Sequence, residues 1–296
     1  MKKQGEKARS VQDANGHHSR FGNAAYQFSR NRLAVVCLAV LLIIVFSSLF
    51  ANIVAPYGID EQQISDALKP PSLQHWFGTD NYGRDIFSRV LYGGRISLLV
   101  AILATFLSTV MGVILGSVAG YYGGRTDNII MRIMDVFMAV PSLLMAIVLA
   151  TSLGAGLRNT VFAIAISSIP SFTRVVRAPI LAVKQNEYIE ASRAIGARPL
   201  RLIIRHILPN VLAIIIVQST LGVANSIISV ASLSFLGLGV QPPTPEWGTM
   251  LSTGRSYITK CAWLVTYPGM AIVLSVICLN VLGDALRDAL DPRLKQ

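Results

Sequence analysis

The stretch from Asn186 to Pro209 holds the most informative spacing in the chain. Asn186 is placed to cap a short helix whose first turn carries Glu187. Tyr188, Ala191, Ser192 and Ile195 fall at i, i+3, i+4 and i+7, a narrow face that Gly196 ends. Glu190 and Arg193 lie outside that face. Pro199 then opens a second short helix, with Leu200, Ile203, Ile204 and Ile207 on one side and Arg198, Arg201 and Arg205 on the other, before Pro209 allows a bend. No nucleophile is paired with a base here. The first helix reads as a peg for a cytoplasmic partner, with a solvated connector as the plainer alternative, and the second as an elbow resting on lipid headgroups.

A second constellation follows. Gln218, Gly222, Asn225, Ser229 and Ser232 recur at i, i+4, i+7, i+11 and i+14, one face of a helix in an otherwise apolar run. Polar atoms in hydrocarbon are costly unless they meet water or partners, so the stripe reads as the lining of a passage or as hydrogen bonding between helices. Catalytic patterns are missing: there is no phosphate-binding Gly-rich loop ending in Lys and no Gly-Lys pair. Asp80 to Asp85 has the wrong spacing for a calcium loop and reads as a helix start, with Asp80 as cap and an Asp85–Arg89 pair. His17 and His18 lack further metal ligands, and Cys37, Cys261 and Cys278 have no ligand spacing. The expectation is no catalytic, cofactor or metal site.

The elements that position these residues are membrane helices. Of 296 residues, 53% are hydrophobic and 14% charged, against roughly 25% charged in an average soluble domain. Residues 33–54 contain no charge and would rise about 33 Å as a helix, matching a hydrocarbon core of roughly 30 Å. Further uncharged runs cover 96–124, 136–157, 159–173, 206–245 and 261–283, so six spanning helices are expected. The fourth is short, and the fifth is a helix from about Leu208 to Leu233 followed by a loop rich in Gly and Pro. Pro141 and Pro170 should kink their helices. Gly112, Gly116 and Gly120 offer a flat face for close packing, within the chain or between subunits.

Nineteen of the 26 Lys and Arg residues fall on one side if both termini are cytoplasmic, the retention bias of membrane insertion. That topology, with lipid headgroups as partner, accounts for the net charge of +11 without nucleic acid. The resulting organisation is a disordered cytoplasmic tail at 1–32, a first helix at 33–54, an extracytoplasmic loop at 55–95, a core at 96–285 holding the peg at 186–197, and a cytoplasmic tail at 286–296. The last three spans carry no deep ionisable residue, which argues against a cation-driven secondary carrier.

The peg and elbow resemble the signature of the membrane subunits of ATP-binding-cassette (ABC) importers, Glu-Ala-Ala, three residues, Gly, nine residues, Ile-x-Leu-Pro. Glu190, Ala191, Gly196, Leu208 and Pro209 match it, while Ser192 replaces the second Ala and His206 the Ile. Two further stretches are similar to the peptide and nickel branch of that family. One runs from Gly78-Thr79-Asp80 through Gly83-Arg84-Asp85, Ser88-Arg89 and Tyr92-Gly93 to Ser97-Leu98, and the other is Gln241-Pro242-Pro243-x-Pro245-Glu246-Trp247-Gly248. The close, Gly283-Asp284 to Asp291-Pro292, is similar too. The resemblance implies an all-α, MetI-like permease in a bacterial or archaeal cell membrane. It also implies a second homologous permease, two cytoplasmic ATPases that bind ATP and magnesium, and an extracytoplasmic substrate-binding protein. Di- or oligopeptides are the implied cargo, with nickel, glutathione or opines as alternatives. The peg, with Glu187, Tyr188, Glu190, Ala191, Ser192, Ile195 and Gly196, would be the helix coupling the passage to an ATPase.

Overall fold

The computed structural model describes residues 28–290; His17, His18 and most of the expected N-terminal tail lie outside the described residues. Every extended element among the described residues is a helix, apart from one isolated bridge between Thr79 and Asp85. Arg32–Leu49 (α1) starts where the Asn31 side chain accepts from the Ala34 N–H at 3.2 Å, and a turn later Ala51–Val54 (α2) ends the first crossing. Then come Ile86–Tyr122 (α3), Gly124–Met138 (α4), Ser142–Leu153 (α5), Leu157–Val183 (α6), Glu187–Ala194 (α7), Pro199–Leu202 (α8), Leu208–Phe235 (α9), Trp247–Gly254 (α10) and Trp263–Leu290 (α11). Among the described residues five helical stretches are long and apolar enough to cross a membrane, six if the bent pair α4–α5 is one span.

Three elements depart from the sequence expectation. Helix α3 begins at Ile86, so residues 86–95 are helical rather than loop, and its cap is Asp85 instead of Asp80. The reason is Gly83, whose φ of +72° turns the chain once more before the helix can start. Asp80 closes that turn, accepting from the Tyr82 and Arg84 N–H groups at 2.8 and 3.0 Å and pairing with Arg84 Nε at 2.7 Å. Asp85 Oδ2 accepts from Ser88 N–H at 2.7 Å, and Oδ1 lies 3.0 Å from His75 Nδ1, so the expected Asp85–Arg89 pair does not form.

Where the third crossing is expected, the chain is broken rather than kinked. Helices α4 and α5 meet at 85°, with Pro141 at the break, because proline can neither donate to the preceding turn nor sit in it without a clash. The fourth crossing is not short. Helix α6 runs through Pro170 and Pro179 without interruption and carries Arg174 and Arg177 inside it. Those charges are tolerated because α4 supplies their counter-ions: Arg174 donates to Asp135 at 2.6 Å, and Arg177 Nη2 to Asp127 Oδ2 at 2.6 Å.

Helices α3 and α6 run parallel, and glycine brings them together. A Cβ at Gly116 would sit 2.8 Å from the Thr173 carbonyl oxygen, one at Gly120 2.8 Å from Ile180 Cγ2, and one at Gly112 would collide with Phe172. The flat face of α3 therefore serves packing within the chain. Near the N-terminal end of α3, α10 is locked onto it. Glu246 caps α10, its Oε1 accepting from Gly248 N–H and Ser97 Oγ–H and its Oε2 from Thr249 N–H, each at 2.9 Å. Burial pushes its carboxyl above the usual carboxylate range, while those three donors pull it back. Ser97 Oγ in turn accepts from Trp247 N–H at 3.1 Å, and Trp247 Nε1 donates to the Val90 carbonyl at 2.9 Å. Gly93 and Gly94 leave room for the indole, since a Cβ at Gly94 would stand 2.8 Å from Trp247 Cζ2.

Two outcomes follow from this packing. Glu246→Ala strands three buried donors and should cost about 2 kcal/mol of stability, measured as a lower denaturation midpoint of the purified protein in detergent; Glu246→Gln, which keeps an acceptor oxygen, should lose less. Gly116→Val forces α3 from α6 and should cost roughly 1–3 kcal/mol by overpacking. A wild-type midpoint for Gly116→Val would show that the seam is not tight.

Candidate functional site

The peg forms as helix α7, held on by very little. Asn186 precedes it, but its side chain makes no cap bond; its carbonyl accepts from Ile189 and Glu190 N–H instead. The helix stops in a Schellman turn. Gly196 takes a φ of +84°, its N–H donates to the Arg193 carbonyl, and Ala197 N–H donates to Ser192. Ile189 alone of α7 is fully buried, in a cluster with Tyr121, Val176, Ile180, Leu202, Ile203, Ile207 and Val211. Arg193 adds a cation over the Tyr121 ring at 5.6 Å from the centroid. Asn210 Nδ2 donates to Tyr188 Oη at 3.2 Å.

The expected outward face is bare. Ile195 is 87% exposed, Glu187, Tyr188, Glu190, Ala191 and Gly196 are exposed, and only Ser192 is half-buried, its hydroxyl donating back to the Tyr188 carbonyl. The buried Ile189 lies off the i, i+3, i+4, i+7 face, and nothing in a helix of eight residues marks it out from sequence alone.

The elbow differs from its sequence reading. Helix α8 continues through a π turn at Ile203–Ile207 into α9, so one helical rod runs from Pro199 to Phe235, and Pro209 sits in its first α9 turn without bending it sharply. The wide turn shifts the helix phase. Leu202, Ile203 and Ile207 are therefore buried, while Leu200 is 67% exposed and Ile204 is exposed as well. Arg198, Arg201 and Arg205 do face outward.

On α9 the polar stripe is interrupted. Gly222 is buried, and a Cβ there would come within 2.7 Å of Phe172 Cζ, so it belongs to the packing of α9 on α6 rather than to a wall. Gln218 and Ser229 are half-buried, Asn225 is exposed, and Ser232 borders an open, mostly apolar concavity of about 450 Å³ with Ile228, Phe235, Leu251 and Ile272. The Ser229 and Ser232 hydroxyls donate to carbonyls four residues back, which removes the need for a partner helix. Sequence reasoning missed the two Asp–Arg pairs between α4 and α6; the available signal was two arginines three apart facing two aspartates eight apart, all on the cytoplasmic side of the expected topology.

Residues 112–296 match the family described as binding-protein-dependent transport system inner membrane component, and residues 19–71 match the N-terminal TM domain of oligopeptide transport permease C. The chain is 45% identical over 269 residues to the dipeptide transport system permease protein of Alkalihalophilus pseudofirmus, covering 91% of this chain and 88% of that one. It is 47% identical over 274 residues to the di/tripeptide transport system permease protein of Pseudomonas aeruginosa, covering 90% of each. With the glutathione transport system permease protein of Escherichia coli it shares 47% identity over 270 residues, 91% of this chain and 89% of that one. A solved inward-facing structure of the MetNI methionine ABC transporter superposes with a TM-score of 0.57 at 19% identity, over 70% of this chain and 98% of that chain, a likeness of fold. The chain therefore belongs to the inner membrane components of binding-protein-dependent transport systems, as a multi-pass permease subunit of an ABC importer in which ATP hydrolysis falls to other subunits.

Proposed function

We propose that this chain forms half of the passage of an importer for di- and oligopeptides and that α7 is the foot through which a cytoplasmic ATPase drives it. The observation that carries the reading is the foot itself. Helix α7 is tethered by one buried isoleucine, yet it presents Tyr188, Ile195 and nearby Leu200 bare beside Glu187 and Glu190. Apolar side chains left bare on a segment outside the bilayer, next to acids, suit a protein groove better than water. The foot also joins directly to the rod from Pro199 to Phe235, so displacement of α7 is passed to the stripe on α9.

The remaining parts of the assembly are a second homologous permease, a pair of ATP-binding subunits and an extracytoplasmic binding protein, with both termini of this chain in the cytoplasm. Peptide cargo is supported by the dipeptide and di/tripeptide relatives. Glutathione is a second reading, favoured by relatives of equal identity, and is chemically a tripeptide. Gln218, Asn225, Ser229 and Ser232 are uncharged, so their contribution is a permissive wall, and selection falls to the binding protein.

The test is uptake by the complete assembly in proteoliposomes, comparing labelled dipeptide, glutathione and nickel with and without ATP. ATP-dependent accumulation of dipeptide is expected. Ala191→Trp on the bare face of α7 and Gly196→Val at its left-handed turn should each lower uptake at least tenfold, equivalent to about 1.4 kcal/mol or more of lost coupling, with membrane insertion unchanged. Full uptake by Ala191→Trp would remove α7 from the drive train.

A further inference from the structure

The two Asp–Arg pairs between α4 and α6 are not equivalent. Arg177 engages both oxygens of Asp127, a carboxylate that is itself buried, and this pair is a strut. Arg174 makes a single bond to Asp135 at 2.6 Å, and both side chains remain 48% exposed. Arg174 lies seventeen residues into α6, about 26 Å along its axis and so still within a hydrocarbon layer of roughly 30 Å measured from the start of that helix. A carboxylate and a guanidinium half bare at that depth do not face lipid tails; they face water or protein.

The surroundings favour water. Three and seven residues before Arg174, Ser171 is exposed and Ser167 half-buried on the same face of α6. Three and seven residues before Asp135, Arg132 and Asn128 are exposed on α4 and continue the polar line toward Gly123, where α4 joins the inner end of α3. The line therefore runs from mid-span toward the joint of α3 and α4, the cytoplasmic end in the proposed topology.

We infer that this line is a wall of the passage at its cytoplasmic end and that the Arg174–Asp135 pair contacts the charged ends of a peptide in transit, Arg174 taking the carboxylate and Asp135 the ammonium. The inference rests on the peptide reading above. A zwitterion matches a single, half-exposed ion pair in charge and can exchange with it, whereas the bidentate, buried Arg177–Asp127 pair has no face to offer.

The test uses the complete transporter in inside-out membrane vesicles. Ser171→Cys and Arg174→Cys should react with a water-soluble methanethiosulfonate at least tenfold faster than Phe162→Cys, an exposed apolar position on the same helix, against a background with Cys37, Cys261 and Cys278 replaced by alanine. Saturating dipeptide with binding protein and ATP should slow labelling at Cys-substituted positions 171 and 174 at least threefold. Arg174→Gln and Asp135→Asn should each cut the maximal uptake rate at least tenfold while leaving the peptide concentration at half-maximal uptake, set by the binding protein, unchanged. Slow labelling at both positions would mean that the line is sealed against the second permease and would overturn the inference. Fast labelling that peptide does not slow would overturn the peptide contact. If the wild-type assembly imports no peptide, the functional reading fails and takes the contact with it; wild-type uptake with unprotected cysteines sinks the contact alone.

Discussion

Helix α3 is the spine from which the other elements take their places, and its contact with α6 is the constraint on which they depend. Three glycines let the two backbones approach until any side chain between them would strike Phe172, Thr173 or Ile180. Such close approach replaces the hydrophobic drive that is absent between helices in lipid. Because the pair is parallel, the C-terminal ends of both helices finish side by side, and α7 packs there. Tyr121 of α3 and Val176 and Ile180 of α6 form the socket that receives Ile189. A looser seam would leave that socket open.

The two ends of the spine are built differently. At its N-terminal end, α3 is fixed by Asp85 as cap, by the His75 contact and by the Ser97–Glu246–Trp247 lock on α10. These bonds are buried and mutually satisfied, and breaking any one strands another. At the C-terminal end of α3, one isoleucine, one cation over a ring and one tyrosine hydrogen bond hold α7. Regions with few buried contacts open at lower free energy than the rest of a fold. On the proposed reading, motion driven through α7 is thereby confined to that end, where α4 is also flanked by two changes of chain direction, positive-φ Gly123 and Gly124 on one side and the 85° break at Pro141 on the other.

How much of this was legible in the sequence depended on whether charge could be used as a ruler. Helices α1 and α9 were placed within a few residues because long uncharged runs correspond to hydrocarbon thickness. The same ruler failed for α6, since Arg174 and Arg177 are neutralised by aspartates some forty to fifty positions earlier in the chain, a pairing that no local window contains. Proline at 141 was visible, but the size of the bend is set by what α4 packs against. Asp80 and Asp85 are equally good caps by type, and only the backbone of Gly83 decides between them. The signature around α7 was readable; its anchor, Ile189, was not, because one buried side chain in two turns has no period.

The same asymmetry bears on selectivity. In the proposed passage, the mostly apolar concavity around Ser232, Leu251 and Ile272 would offer little to distinguish one side chain from another. Any ionic contact with cargo must then come from the few charges that the bundle can keep within the membrane, and each of those needs a counter-ion when no cargo is present. An aspartate on the broken crossing and an arginine on the unbroken one meet that requirement at the end where the structure is loosest. If the proposed contact and coupling hold, charge recognition and movement fall to the same end of the bundle, while the Glu246–Trp247 lock keeps the far end of α3 and α10 in register.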